Sequence, residues 1–152
     1  MQAVDVTRDM YPTIVSDLLQ EWSLTPSTKA TVVALQGDLG AGKTTLTQAI
    51  ARTLGVTEVV TSPTFVVQKI YPISHERWVQ LVHIDAYRIE DLSELGPLRI
   101  SELWLQPNLL VIIEWPERIF EALPTETYAL RLTTIDTETR RLEPVQLTSL
   151  QI

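Results

Sequence analysis

The chain has 152 residues, a formal charge of −7 and no cysteine. Without cysteine there is no disulfide framework and no thiolate metal site. The acidic balance, 12 Lys and Arg against 19 Asp and Glu, argues against a broad basic footprint for nucleic acid, because Lys and Arg carry most of that affinity. Met1-Gln2-Ala3-Val4-Asp5 shows no basic start followed by an apolar stretch, so no signal peptide is expected. The longest unbroken aliphatic run, residues 109–113, is too short to span a bilayer. The expectation is a soluble, cytoplasmic protein in which residues 1–152 form a single domain.

Val4-Asp5-Val6 reads as a short strand. Residues 11–22 carry Ile14, Val15, Leu18, Leu19 and Trp22 at helical spacing, which predicts a helix with one buried face. Residues 24–29, with Pro26, predict a loop. Thr31-Val32-Val33-Ala34-Leu35 is β-branched and apolar and predicts a buried strand. Residues 45–54 predict a helix stopped by Gly55, a residue suited to the left-handed position after a helix.

Between that strand and helix stands Gly37-Asp38-Leu39-Gly40-Ala41-Gly42-Lys43-Thr44, a complete G-x-x-x-x-G-K-[ST] phosphate loop. Strand, glycine loop and helix are the arrangement the motif requires. The glycines let backbone N–H groups turn inward, and the helix N-terminus adds partial positive charge. Lys43 can reach the β- and γ-phosphates, and the Thr44 hydroxyl can ligate Mg²⁺. Asp38, Leu39, Gly40, Ala41, Gly42 and Thr45 complete the predicted cradle.

Farther on, Ser62-Pro63-Thr64 interrupts an apolar run and predicts a loop, because Pro63 lacks a backbone donor and disfavours helix at Ser62. Residues 65–71 then predict a strand, and residues 78–84 another, ending at Asp85. His75 and Arg77 lie in the polar connection between them and receive no role. Residues 90–95 predict a short helix stopped by Gly96-Pro97, and residues 99–105 a second helical piece. Residues 109–113 predict a buried strand ending in Glu114. Residues 116–123 start with proline, as helices often do. Residues 128–132 and 142–147 predict strands joined by a polar turn over residues 136–139. The order predicts a three-layer α/β domain of the P-loop NTPase type, with a mostly parallel sheet and added antiparallel strands.

In such sheets ligands gather at the C-terminal ends of the strands. Glu114 therefore occupies the place of a Walker B acid, able to hold Mg²⁺ directly or through water; the alternative is a cap for the next helix. Asp85 either orients an attacking water or binds Mg²⁺ through water, or else caps a turn or pairs with Arg88. His83 lies two residues earlier on the same face of its strand and reads as a structural histidine. Arg88 and Arg118 could meet phosphate with a bidentate fork, but a surface salt bridge is the reading for Arg118. Thr64 is either a turn cap or part of a nucleotide-ordered switch.

Four blocks now stand in order: Gly37 to Thr45, Ser62-Pro63-Thr64-Phe65, His83-Ile84-Asp85-Ala86-Tyr87-Arg88, and Glu114-Trp115-Pro116-Glu117-Arg118. Together they resemble the TsaE (YjeE) family of bacterial ATPases. The resemblance implies ATP hydrolysis within the machinery that makes N6-threonylcarbamoyladenosine in tRNAs reading ANN codons. It implies TsaD and TsaB as partners, which carry the threonylcarbamoyl transfer, with tRNA held only indirectly through that complex. It implies ATP and Mg²⁺ as cofactors, Lys43, Asp85 and Glu114 as catalytic groups, and Thr44, Glu114 and Asp85 around the metal. Thr64 and Trp115 would lie near the nucleotide or the partner. Two other readings stand beside it. A small-molecule P-loop kinase needs an arginine-bearing lid, and residues 92–107 hold one arginine, Arg99. A nucleotide-gated binding module would use its bound shape more than its turnover.

Overall fold

The computed structural model describes residues 1–63 and 66–151. Its seven strands are β1 (Val4–Val6), β2 (Thr31–Gln36), β3 (Gln68–Pro72), β4 (Gln80–Asp85), β5 (Leu109–Glu114), β6 (Tyr128–Thr134) and β7 (Arg140–Pro144). They form one sheet in the order β1-β7-β6-β2-β5-β4-β3. The centre, β6-β2-β5-β4, is parallel, while β3, β7 and β1 add antiparallel pairs at the two flanks. This is the predicted P-loop NTPase-like arrangement.

Side-chain alternation along the strands divides the core into layers. Val33 and Leu35 of β2, Leu110 and Ile112 of β5 and Leu81 of β4 pack toward helices α1 (Tyr11–Leu24) and α2 (Lys43–Thr53). Val32, Val111, Ile113, Val82 and Ile84 face the opposite layer, built from short helical segments between residues 92 and 122. In α1, Val15, Leu18, Leu19 and Trp22 are buried, as their spacing predicts. Alternation then decides where the acids point. Glu114 has the parity of Leu110 and Ile112, and His83 and Asp85 have the parity of Leu81. All three belong to the face on which α2 packs, and Asp85 pairs in register with Glu114.

Several boundaries differ from the sequence expectations. The strand expected over residues 65–71 begins at Gln68, because Val67 takes a left-handed backbone with φ 63°. The strand expected from Trp78 begins at Gln80; Trp78 is instead buried, its indole N–H donating to Thr31 Oγ1 at 2.9 Å. Gly96-Pro97 does not stop the short helix before it. A 3₁₀ segment, Leu92–Leu98, runs through both residues, held at its start by a capping box between Asp91 and Glu94. It ends where Arg99 turns left-handed, and α3 (Ile100–Leu103) follows. Pro116–Ala122 is 3₁₀ and kinked at Ile119. The strand expected over residues 142–147 lies at Arg140–Pro144, and Leu147 opens a 3₁₀ turn.

The phosphate loop is fixed to the sheet by contact as well as by its helix. A Cβ placed on Gly37 would lie 2.5 Å from the Leu132 carbonyl oxygen and 3.1 Å from Ala41 Cβ. Glycine is required there because the loop leaves β2 directly against β6. Gly37→Ala should therefore destabilise by about 1–3 kcal/mol through forced displacement, roughly 3–10 °C in Tm. Thermal unfolding checks this; an unchanged Tm would contradict the close packing of loop on β6.

Candidate active site

The phosphate loop turns twice through positive φ, at Gly40 (79°) and Gly42 (100°), and Gly42 is the N-cap of α2. Only glycine takes these angles cheaply. The Ala41 N–H donates to the Asp38 carbonyl at 3.0 Å, closing the turn, and Ala41 is buried. Asp38, Leu39 and Gly40 are exposed at its tip. Thr45 is half-buried and faces a groove against α1, lined also by Tyr11, Gln48 and Arg52.

Lys43 opens α2 and folds back over the loop. Its ammonium donates to the carbonyls of Gly37 at 2.5 Å and Asp38 at 2.9 Å. It also stands 4.0 Å from the centre of the Trp115 ring, a cation–π contact. Burial pushes the Lys43 amine below its ordinary range, and Glu114, Glu117, Asp85 and Asp38 oppose that shift.

Glu114 is the best-connected group at the site. Its carboxylate is 2% exposed as a residue. Oε2 accepts from the Thr44 hydroxyl at 3.0 Å. Oε1 lies 2.8 Å from Nε2 of the fully buried His83. The Thr47 hydroxyl stands 3.1 Å from the Lys43 carbonyl and 3.4 Å from Oε1, so its single proton is shared between them. Nε2 is the His83 ring nitrogen that meets the carboxylate, while Nδ1 is buried without a partner among the described residues. His83 is a structural histidine, as expected, and fully buried: it braces the acid at the end of the neighbouring strand.

Asp85, at the end of β4, accepts from the Ser62 hydroxyl and from the Tyr87 N–H at 3.0 Å. Its own backbone N–H donates to the Val67 carbonyl at 2.9 Å. The left-handed Val67 therefore ties the strained turn to the strand end that carries Asp85. Trp115 is likewise left-handed, φ 58° and ψ 49°. For a bulky residue this backbone costs on the order of 1–3 kcal/mol. It accompanies a ring held under Lys43 and 5.0 Å from the Tyr87 ring.

The structure thus brings Lys43, Thr44, Asp85, Glu114 and Trp115 to one end of the sheet. Thr64 and the start of the strand expected from Phe65 lie outside the described residues. Arg88 and Arg118 line an open polar depression with Tyr87 and Glu90. The salt bridge expected for Arg118 is not formed among the described residues. Sequence reasoning gave no role to Glu117, Thr47 or Arg140. Thr47 could have been found: it lies three residues after Thr44 on the same helix face. Arg140 comes close only through folding; its Nε is buried without a partner and would lie 3.9 Å from a Cβ on Gly42.

Glu117 carries a testable electrostatic burden. Its Oε2 is buried without a partner, and burial raises its pKa above 4.5, while its own backbone N–H, Lys43 and Arg118 oppose the shift. The folded state therefore holds the Glu117 proton more tightly than the unfolded chain. Stability from this group is complete below about pH 4.5 and is lost as pH rises through the raised folded value. Glu117→Gln should raise Tm at neutral pH, with the gain disappearing in acid. Melting curves across pH check this; an equal gain at both extremes would point to packing instead of charge.

The family model described as threonylcarbamoyl adenosine biosynthesis protein TsaE matches residues 14–142, a span that contains all of the site residues above. A tRNA threonylcarbamoyladenosine biosynthesis protein TsaE from Bacillus subtilis is 43% identical over 95 residues, covering 62% of this chain and 56% of that protein. The protein of the same description from Streptomyces coelicolor is 42% identical over 102 residues, 66% of this chain and 67% of that one. That from Treponema pallidum is 38% identical over 120 residues and covers 79% of each. The match thus spans little more than half the length of the Bacillus subtilis relative. In fold, the chain is similar to the crystal structure of Bacillus subtilis YdiB, with a TM-score of 0.67 at 24% identity, covering 96% of this chain and 86% of that one. With the family model matched from the first helix to the last strand, this chain belongs to the TsaE family, the proteins of tRNA threonylcarbamoyladenosine biosynthesis.

Proposed function

We propose that this chain binds ATP with Mg²⁺ at the loop 37–44 and hydrolyses it, and that this cycle supports turnover of a TsaD–TsaB complex acting on tRNA. The observation that carries the reading is the Thr44 hydroxyl bonded at 3.0 Å to the Glu114 carboxylate, with the Lys43 ammonium folded over the same loop. Two hard oxygen donors stand together where a phosphate loop opens a helix. Among the described residues no group of three or more His, Cys, Asp or Glu forms a metal cage. Mg²⁺ ordinarily takes one or two carboxylates and completes its shell with phosphates and water. The sparse donor set of Thr44 and Glu114 fits that habit. When bound, Mg²⁺ would neutralise charge on the phosphate oxygens.

The chain's own groups divide the work. Loop N–H groups and Lys43 hold the phosphates, Lys43 by exchanging carbonyl partners for phosphate oxygens. His83 and Thr47 keep Glu114 aimed at Thr44. Asp85 is the group placed to orient a water whose oxygen attacks the terminal phosphorus as the bond to the bridging oxygen breaks. Trp115 sets the resting position of Lys43. The strained turns at Val67 and Trp115 favour a second component, in which bound nucleotide changes the docking surface for TsaD and TsaB. The charge of −7 leaves tRNA to be held by the partners.

Phosphate release from saturating Mg-ATP, measured with and without TsaD and TsaB, tests this. Lys43→Ala and Asp85→Asn should each lower turnover about a hundredfold or more. Arg118→Ala, in the exposed depression, should change it little. Near-wild-type turnover by Lys43→Ala would remove the phosphate-loop assignment. Turnover and docking that ignore the nucleotide and the partners alike would remove the switch.

A further inference from the structure

One half-buried acid beside the phosphate loop takes no part in the proposed hydrolysis. Glu117 stands three residues after Glu114, in the first turn of the 3₁₀ segment Pro116–Ala122. We propose that Glu117 is a specificity-determining residue: its negative charge sets the preference between a nucleoside triphosphate and a diphosphate by opposing the terminal phosphate. The inference rests on the ATP reading and deepens it, because it concerns which nucleotide the site retains.

The left-handed turn at Trp115 governs the placement. It leaves β5 with the Trp115 ring against the Lys43 ammonium, 4.0 Å from the ring centre. Two residues later, Glu117 feels the charges of Lys43 and Asp38 from the phosphate loop and of Arg118 from its own segment. Of the acids that act on Lys43, only Glu114 acts more strongly. The Lys43 ammonium is nevertheless committed to the carbonyls of Gly37 and Asp38. Among the described residues Glu117 forms no salt bridge with Lys43, with Arg118 or with any other cation. Its Oε2 is buried without a hydrogen-bond partner there. The charge is therefore felt at the loop and is not neutralised by a direct partner.

A charge in that position discriminates by the number of phosphates. Lys43 is the group that reaches the β- and γ-phosphates, so an acid that acts on Lys43 also acts on a γ-phosphate held by it. ATP carries more negative charge than ADP, and the excess lies on that terminal group. Partly buried charges are screened less than exposed ones. The effect needs no contact between carboxyl and phosphate, so the closed position of Oε2 does not prevent it. Burial already makes Glu117 easier to protonate, and a γ-phosphate nearby would act in the same direction. Once protonated, Glu117 no longer opposes ATP, so its bias against the triphosphate is present at neutral pH and fades in acid.

Calorimetric titration of the whole chain with Mg-ATP and with Mg-ADP tests this, for wild type, Glu117→Gln and Glu117→Asp, at neutral pH and at about pH 5. At neutral pH, Glu117→Gln should raise the ratio of ATP to ADP affinity about fivefold or more. Glu117→Asp keeps the charge and should stay within about twofold of the wild-type ratio. In acid the wild-type ratio should approach that of Glu117→Gln. Comparing the proteins at one pH cancels the titration of the nucleotides themselves. A role confined to packing would move both affinities together and leave the ratio fixed. An unchanged ratio in Glu117→Gln, an equal rise in Glu117→Asp, or a difference between wild type and Glu117→Gln undiminished in acid would each overturn the proposal. A wild-type chain that bound neither nucleotide would instead remove the ATP reading, and this inference with it.

Discussion

A carboxylate buried at the end of a parallel strand is the constraint around which this molecule is arranged. Glu114 would be costly in that position without partners. Three side chains from two other elements meet it: Thr44 and Thr47 from α2, and His83 from β4. Each is placed by ordinary geometry. The parallel register of β4 with β5 puts His83 opposite Ile112, one alternation short of Glu114. The register of β2 with β5 brings the end of β2 level with Glu114, so that the loop leaving β2 starts α2 beside the carboxylate. The apolar faces of α2 and β5 then hold the pair together through Leu46, Ile50, Leu110 and Ile112.

The electrostatics of the site follow from the same crowding. Lys43 is surrounded by Glu114, Glu117, Asp85 and Asp38, all of which act on its charge. The ammonium is also desolvated, so it is held by carbonyls and by the face of Trp115 instead of by water. A polyphosphate arriving alone would meet more negative than positive charge. That charge balance is the electrostatic argument for the proposed use of Mg²⁺. The left-handed backbones at Val67 and Trp115 flank this region, and both sit in connections immediately beside strand ends that carry acids.

The parts of this picture that depend on local pattern were legible in the sequence. The phosphate loop has fixed spacing, β2 and β5 are continuous apolar runs, and the acids at their neighbouring strand ends follow from where such runs stop. Strand alternation could have placed His83 beside Glu114 had the order of β4 and β5 been known, but strand order is a tertiary fact. The same limit hid Arg140, which reaches Gly42 only because β7 folds back along β6. Boundaries failed where local rules were overridden. Gly96-Pro97 reads as a stop, yet a capping box at Asp91 carries a 3₁₀ segment through it. Val67 reads as a strand residue, yet it turns left-handed before β3. Arg77 reads as part of a polar connection, and nothing in its neighbours indicates the cavity it lines.

The sheet thus separates two environments, an acidic phosphate-loop end organised by Glu114 and a cavity around Thr31 at the other end. The central claim concerns Glu114, and the most direct measurement is ATP affinity as a function of Mg²⁺ concentration in the wild type and in Glu114→Gln. Wild-type affinity should rise steeply with Mg²⁺. The variant should keep the Mg²⁺-free affinity, because the loop and Lys43 are intact, and lose most of the Mg²⁺-dependent gain. An undiminished gain in a folded Glu114→Gln protein would contradict the account and leave Glu114 as a buried structural acid.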